Sequence, residues 1–158
     1  MTYLIPEDVR AAIRYHAEIC YPEECCGFVA GPKDTAILTK ALPCKNVQNE
    51  YHQKDPEQFP RNAETAYFMD PAEQLHIQKQ LRSEEAEIKI IYHSHIEAEP
   101  YFSNEDMRLA VDDGQPLYPG ILYLIVSVYE GKASQYNLYG WNADKRVYGA
   151  LEAVSHVL

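Results

Sequence analysis

Ile88-Lys89-Ile90-Ile91-Tyr92-His93-Ser94-His95-Ile96-Glu97-Ala98-Glu99-Pro100-Tyr101-Phe102-Ser103-Asn104-Glu105-Asp106 is the stretch on which the fold turns. Its opening run is β-branched and apolar and reads as a strand. Side chains alternate faces along a strand, so His93 and His95 share one face and Ser94 takes the other. The two imidazoles then lie about 7 Å apart along the backbone, close enough to converge on one metal ion. Asp106 supplies a third ligand from the element that follows. Two neutral imidazoles and a carboxylate suit zinc, and three protein ligands leave a fourth position open, as catalytic sites do.

The same residues have plainer uses. Two histidines on one strand face also occur as ordinary core or surface residues. Ser103-x-x-Asp106 ahead of Met107, Leu109, Ala110 and Val111 is a capping-box pattern for a helix start. The cap and the ligand set are compatible, because the first turn of that helix would face back towards the strand end.

Upstream of this stretch, Val9, Ile13, His16 and Cys20 repeat at helical spacing and predict a helix from Pro6 to about Cys20. His16 lies in that stripe and reads as a packed histidine. Tyr21-Pro22 ends the helix. Glu23-Glu24 then opens a strand through Gly31, and a turn at Gly31-Pro32-Lys33-Asp34 leads to a hairpin partner over Thr35–Leu42. Residues 43–62 show no clear period and read as a long loop, with His52 as a solvated residue first and a substrate contact second. Ala66–Met69 reads as a short strand. Asp70-Pro71-Ala72-Glu73 is a helix start, with His76 on the surface of that helix.

Downstream, the predicted helix after Ser103 runs to about Asp112. Ile121–Tyr129 is the most apolar run and reads as a strand buried on both faces. Glu130-Gly131-Lys132 returns it to a partner over Ala133–Tyr139, and Lys145–Leu151 adds an edge strand. The order of elements predicts one mixed α/β domain across residues 1–158, a curved sheet packed against helices.

Composition narrows the function classes. With 14 basic and 24 acidic residues the net charge is −10, which disfavours nucleic acid and anionic membranes as partners. No apolar run is long enough for a membrane span. The start lacks the basic and apolar segments of a signal peptide. Cys20, Cys25, Cys26 and Cys44 contain no C-x-x-C pair and read as reduced core cysteines of a cytoplasmic protein. Hydrolysis at a zinc site needs a general base. Glu23, Glu24, Glu97, Glu99 and Glu105 are all candidates, and spacing does not choose among them.

His93-Ser94-His95, seven residues, Ser103-x-x-Asp106, with Glu24-x-x-Gly27 upstream, resembles the signature of the JAMM (MPN+) zinc metallopeptidases. Tyr21-Pro22-Glu23-Glu24-Cys25-Cys26-Gly27-Phe28 is similar to that family's Pro-x-Glu-x-Cys-Gly pattern. Phe68-x-Asp70-Pro71 and Tyr118-Pro119-Gly120 fit its small prokaryotic branch. The resemblance covers about Pro6 to Leu151. It implies a cytidine-deaminase-like α/β fold, with His93, His95 and Asp106 as ligands of one zinc. It also implies Glu24 as general acid–base and Ser103 as a donor to the oxyanion. The implied reaction is hydrolysis after the C-terminal Gly-Gly of a ubiquitin-like or sulfur-carrier protein. No cysteine follows Cys44, so the second zinc of some eukaryotic members is not expected. Two competing classes are a scaffold relative without catalysis, which would lack the ligands, and a nucleobase deaminase, which would carry C-x-x-C.

Overall fold

In the computed structural model, which describes residues 2–158, Thr2–Tyr3 forms a short strand, β1, ahead of helix α1 (Glu7–Cys20). Strands β2 (Cys26–Pro32) and β3 (Lys40–Cys44) follow, then helices α2 (Gln48–Lys54) and α3 (Pro71–Ser83). Strand β4 (Ala86–Ile96) leads to helix α4 (Asn104–Ala110), and β5 (Val111–Asp112) pairs with β6 (Gln115–Pro116). Strands β7 (Leu122–Tyr129), β8 (Lys132–Asn142) and β9 (Val147–Ala153) complete the chain. The main sheet has seven strands in the order β1-β9-β8-β7-β4-β2-β3. Its β4–β7 and β1–β9 pairs are parallel and the others antiparallel, so the expected mixed sheet is present.

Strand alternation divides the core in two. Val29, Ile90, Tyr92, Leu124 and Val126 face α1, whose Val9, Ile13 and Ala17 are buried against them. Phe28, Ile91, Tyr123 and Ile125 face the other side, where Ile77 and Leu81 of α3 and Ala110 of α4 cover them. His16 is buried in the α1 stripe as expected, with its Nδ1 2.7 Å from the Tyr92 hydroxyl. That hydroxyl also explains Gly27. A Cβ there would stand 2.5 Å from Tyr92 Oη and 2.6 Å from the Leu42 carbonyl oxygen.

Several expected elements shift. The hairpin partner of β2 begins at Lys40, not Thr35, because residues 35–39 run outside the ladder. The long loop contains α2, a helix without an apolar stripe, which side chains hold in place. Gln48 Nε2 donates to the Arg61 carbonyl at 2.9 Å, and Asn49 Nδ2 donates to Glu23 Oε1 at 2.7 Å. His52 therefore sits on a helix, with its ring 2.6 Å from the Phe59 carbonyl oxygen. Ala66–Met69 is no strand, and only Met69 bridges to Asn46. Helix α4 stops at Ala110, where the chain turns extended and enters the β5–β6 pair. Strand β9 is not an edge, since β1 adds beyond it. Asp70 caps α3 as predicted, its Oδ1 accepting from Ala72 N–H at 3.0 Å, and His76 is exposed.

Candidate metal centre

Alternation along β4 places the two histidines as the sequence predicts. Ser94 turns to the opposite face, and its Oγ accepts from Cys25 N–H at 2.7 Å. This bond ties the end of β4 to the residue after Glu24. His93 is fully buried, and Tyr67 stacks on its ring at 4.5 Å between centroids and 26° between planes. His95 and Asp106 are buried beside it. One donor atom from each of His93, His95 and Asp106 lies within 4.8 Å of the others, so these three could hold a metal ion.

Asp106 reaches the strand because a helix begins there. Ser103 Oγ accepts from Asp106 N–H at 3.0 Å, and Asp106 Oδ2 accepts from Ser103 N–H at 3.0 Å. The predicted capping box is thus present, and the ligand and cap readings coexist in one residue. The preceding loop is fixed from three sides. Ser127 Oγ donates to the Ala98 carbonyl at 2.7 Å, Tyr139 Oη donates to the Pro100 carbonyl at 2.6 Å, and Glu97 N–H donates to the Val128 carbonyl at 2.8 Å.

The donor set fits a cation. His95 Nδ1 is 3.1 Å from the Glu99 carbonyl oxygen, which can only accept, so that nitrogen carries the proton. His95 Nε2 is 3.1 Å from Asp106 Oδ2. His93 Nε2 is 2.9 Å from Asp106 Oδ1, yet neither nitrogen of the buried His93 ring has a hydrogen-bond partner among the described residues. Lone pairs aimed at one another across about 3 Å are repulsive unless a proton or a metal ion lies between them. Burial alone would raise the Asp106 carboxyl. The two adjacent imidazoles outweigh it and hold the group well below the usual carboxylate range.

The five candidate bases separate by environment. Glu23 accepts from Asn49, Glu97 accepts from Tyr21 Oη at 2.7 Å, Glu99 meets Tyr129 Oη at 3.2 Å, and Glu105 pairs with Arg108. Glu24 alone of the five is buried, and it lines the same cleft of about 160 Å³ as His95, Ser103 and Asp106. Desolvation, with the Asp106 charge adding to it and the Arg61 charge opposing, pushes its carboxyl up to about 9. Its backbone is pinned on both sides. Glu24 N–H donates to the Ala63 carbonyl at 2.8 Å, and Asn46 Nδ2 donates to the Glu24 carbonyl at 2.9 Å.

Asn46 and Tyr67 are the residues that sequence reasoning missed. Asn46 also donates to the Ala66 carbonyl and accepts from the Gln48 and Phe68 N–H groups. An asparagine one position before the residue that enters a helix is a turn signal, and it was the available clue. The loop before α4 and residues 43–62 contribute unequally to the cleft. Tyr101 lines the cleft, whereas Phe102 turns inward and stacks on Tyr148 at 5.1 Å. Of residues 43–62 only Arg61 reaches the cleft.

Comparison with known proteins agrees with this geometry. The model of the prokaryotic homologues of the JAB domain matches residues 6–141. The chain is 28% identical over 124 residues to the CysO-cysteine peptidase of Mycobacterium tuberculosis, covering 78% of this chain and 72% of that one. It is 35% identical over 106 residues to the desampylase of Haloferax volcanii, covering 67% and 63%. A solution structure from Desulfitobacterium hafniense superposes with a TM-score of 0.69 at 25% identity, over 98% of this chain and 92% of that one. One from Salinibacter ruber superposes with a TM-score of 0.62 at 22% identity, over 97% and 90%.

Proposed function

We propose, from the premise that this chain belongs to the family of prokaryotic homologues of the JAB domain, that it is a zinc-dependent peptidase of the JAMM/MPN+ type. In this reading one domain spans residues 1–158. It hydrolyses the peptide or isopeptide bond after the C-terminal Gly-Gly of a ubiquitin-like or sulfur-carrier protein, in the cytoplasm. The substrate class comes from the named activities of the peptidase and desampylase relatives. The observation that carries the chemistry is the buried Glu24 carboxyl in one cleft with His95, Ser103 and Asp106.

His93 Nε2, His95 Nε2 and an Asp106 oxygen would hold the zinc. When bound, zinc supplies Lewis acidity, lowering the pKa of water and polarising a carbonyl. Glu24 takes the proton from the attacking water and returns it to the leaving nitrogen. Burial makes the carboxylate a stronger base, and the charge of a cation held by His93, His95 and Asp106 would favour the ionised form that takes the proton. Ser103 Oγ already accepts from Asp106 N–H, so its own O–H is left to donate to the oxygen on which charge develops. Arg61, through its charge, keeps the Glu24 carboxyl from rising further.

The tail has a place to lie. The β2–β4 ladder ends at Cys26 and His93, whereas β7 accompanies β4 as far as Ile96. His95 and Ile96 thus have an open strand edge on the β2 side, next to the cleft. An extended tail gains main-chain hydrogen bonds by adding to such an edge. Glycines would pass where side chains would meet the cleft walls. The test is a matched pair of ubiquitin-like fusions, one ending the fold in Gly-Gly-x and one in Ala-Leu-x. Cleavage of the first and not the second is expected. Comparable cleavage of both would defeat the substrate assignment.

A further inference from the structure

Arg61 is the only lysine or arginine among the described residues lining the catalytic cleft, whose walls also carry Glu24, Glu64, Glu105 and Asp106. What sets Arg61 apart is its place in the cleft and its lack of an acidic partner there. Arg108 is held by Glu105, and Lys45 by Glu50. The Arg61 guanidinium makes a single long hydrogen bond, Nη1 to the Thr65 carbonyl at 3.3 Å. No ion pair to it occurs among the described residues.

The backbone beneath this exposed side chain is firmly held. The Arg61 carbonyl accepts from Gln48 Nε2, and Ala63 N–H donates to Asn49 Oδ1 at 2.8 Å. The Ala63 carbonyl in turn accepts from Glu24 N–H. The loop that carries the free cation is therefore bolted to the backbone of the residue that carries the buried carboxyl.

We propose that Arg61 is a specificity residue that receives the free α-carboxylate of the residue released beyond the scissile bond. The proposal rests on the peptidase reading above and narrows it. The preferred substrate would be a tail ended by one free-acid residue, and not a bond to a lysine side chain of a folded partner. In a released C-terminal residue the carboxylate is attached to the carbon bonded to the scissile nitrogen, so its binding group must share the cleft with the base. The other charged side chains among the described residues lining the cleft are acidic, so away from the metal position Arg61 is the side chain there that attracts a carboxylate. A guanidinium presents a planar fork that matches a carboxylate through two parallel hydrogen bonds. A lysine-linked leaving group carries only a methylene chain on the scissile nitrogen and offers no carboxylate at that position.

Two matched peptides ending in Gly-Gly-Ala, one a free acid and one an amide, test this. Binding is measured by calorimetry on the zinc-loaded chain carrying Glu24→Gln, with and without Arg61→Ala or Arg61→Lys, after melting curves establish that each variant is folded. The free acid should bind about 10–100-fold tighter than the amide. Arg61→Ala should bring that ratio near one, and Arg61→Lys should restore part of it. In chains retaining Glu24, Arg61→Ala should raise KM for the acid and not for the amide, while any change in kcat through Glu24 is shared by the two peptides. Equal binding of acid and amide, or a ratio untouched by Arg61→Ala, overturns the proposal. Cleavage of neither peptide with the binding preference intact would remove the peptidase reading and leave the carboxylate site. Cleavage of both at equal efficiency would do the reverse.

Discussion

His93 Nε2 and Asp106 Oδ1 lie 2.9 Å apart without a hydrogen bond between them, both buried. A direct His–Asp pair would turn an N–H towards the oxygen. Here one ligand atom from each of His93, His95 and Asp106 lies within 4.8 Å of the others. Such a cluster could hold a metal ion, and the proposed zinc chemistry depends on it.

Glu24→Gln should leave zinc content unchanged and lower turnover by about 10²–10⁴-fold, the usual share of a general base. The amide keeps the shape of the buried side chain and removes its ability to take a proton. Metal analysis and a rate on the same preparation check this. Loss of zinc would make Glu24 a ligand, and full turnover would remove it from the chemistry.

Ser103→Ala separates the cap that the structure shows from the proposed oxyanion role. Losing the cap leaves Asp106 N–H without its partner and should cost about 1 kcal/mol. For a chain of this size that lowers the melting temperature by about 2–4 °C. Losing an oxyanion donor should lower turnover by about 10²–10³-fold. A destabilised variant with near-normal turnover would leave the cap as the whole role of Ser103.

Gly27→Ala should destabilise by about 1–3 kcal/mol, the range for overpacking a buried site. The new methyl meets both Tyr92 Oη and the Leu42 carbonyl oxygen. Adding Tyr92→Phe should recover little, because the backbone contact remains and His16 loses its partner. Denaturant melts of the three variants decide it. Full recovery in the double variant would mean that the hydroxyl alone excludes a side chain.

The legible parts of this molecule were those written in periodicity. Two-residue alternation put His93 and His95 on one face and Ser94 on the other. Helical spacing gave α1, including the buried His16. The Ser103–Asp106 spacing gave the cap. What escaped was held by side-chain hydrogen bonds between distant segments. Helix α2 has no apolar stripe and depends on Gln48 and Asn49 reaching residues 23, 61 and 63. Spacing left five glutamates open and the family resemblance named Glu24; burial and the partners that engage the others single out the same residue. Residues 35–39 carry Thr35, Ile37 and Leu38 and look strand-like, yet they run beside β2 with Thr39 N–H donating to the Ala30 carbonyl and do not join its ladder.

The most direct test of the account is a zinc titration of chelator-stripped protein, following cleavage of a ubiquitin-like fusion that ends its fold in Gly-Gly-x. The account predicts no cleavage without metal, then a rate that rises and levels off at one zinc per chain. The His93→Ala, His95→Ala double variant should stay inactive throughout. Cleavage that survives stripping, or a double variant that regains activity with zinc, would contradict it.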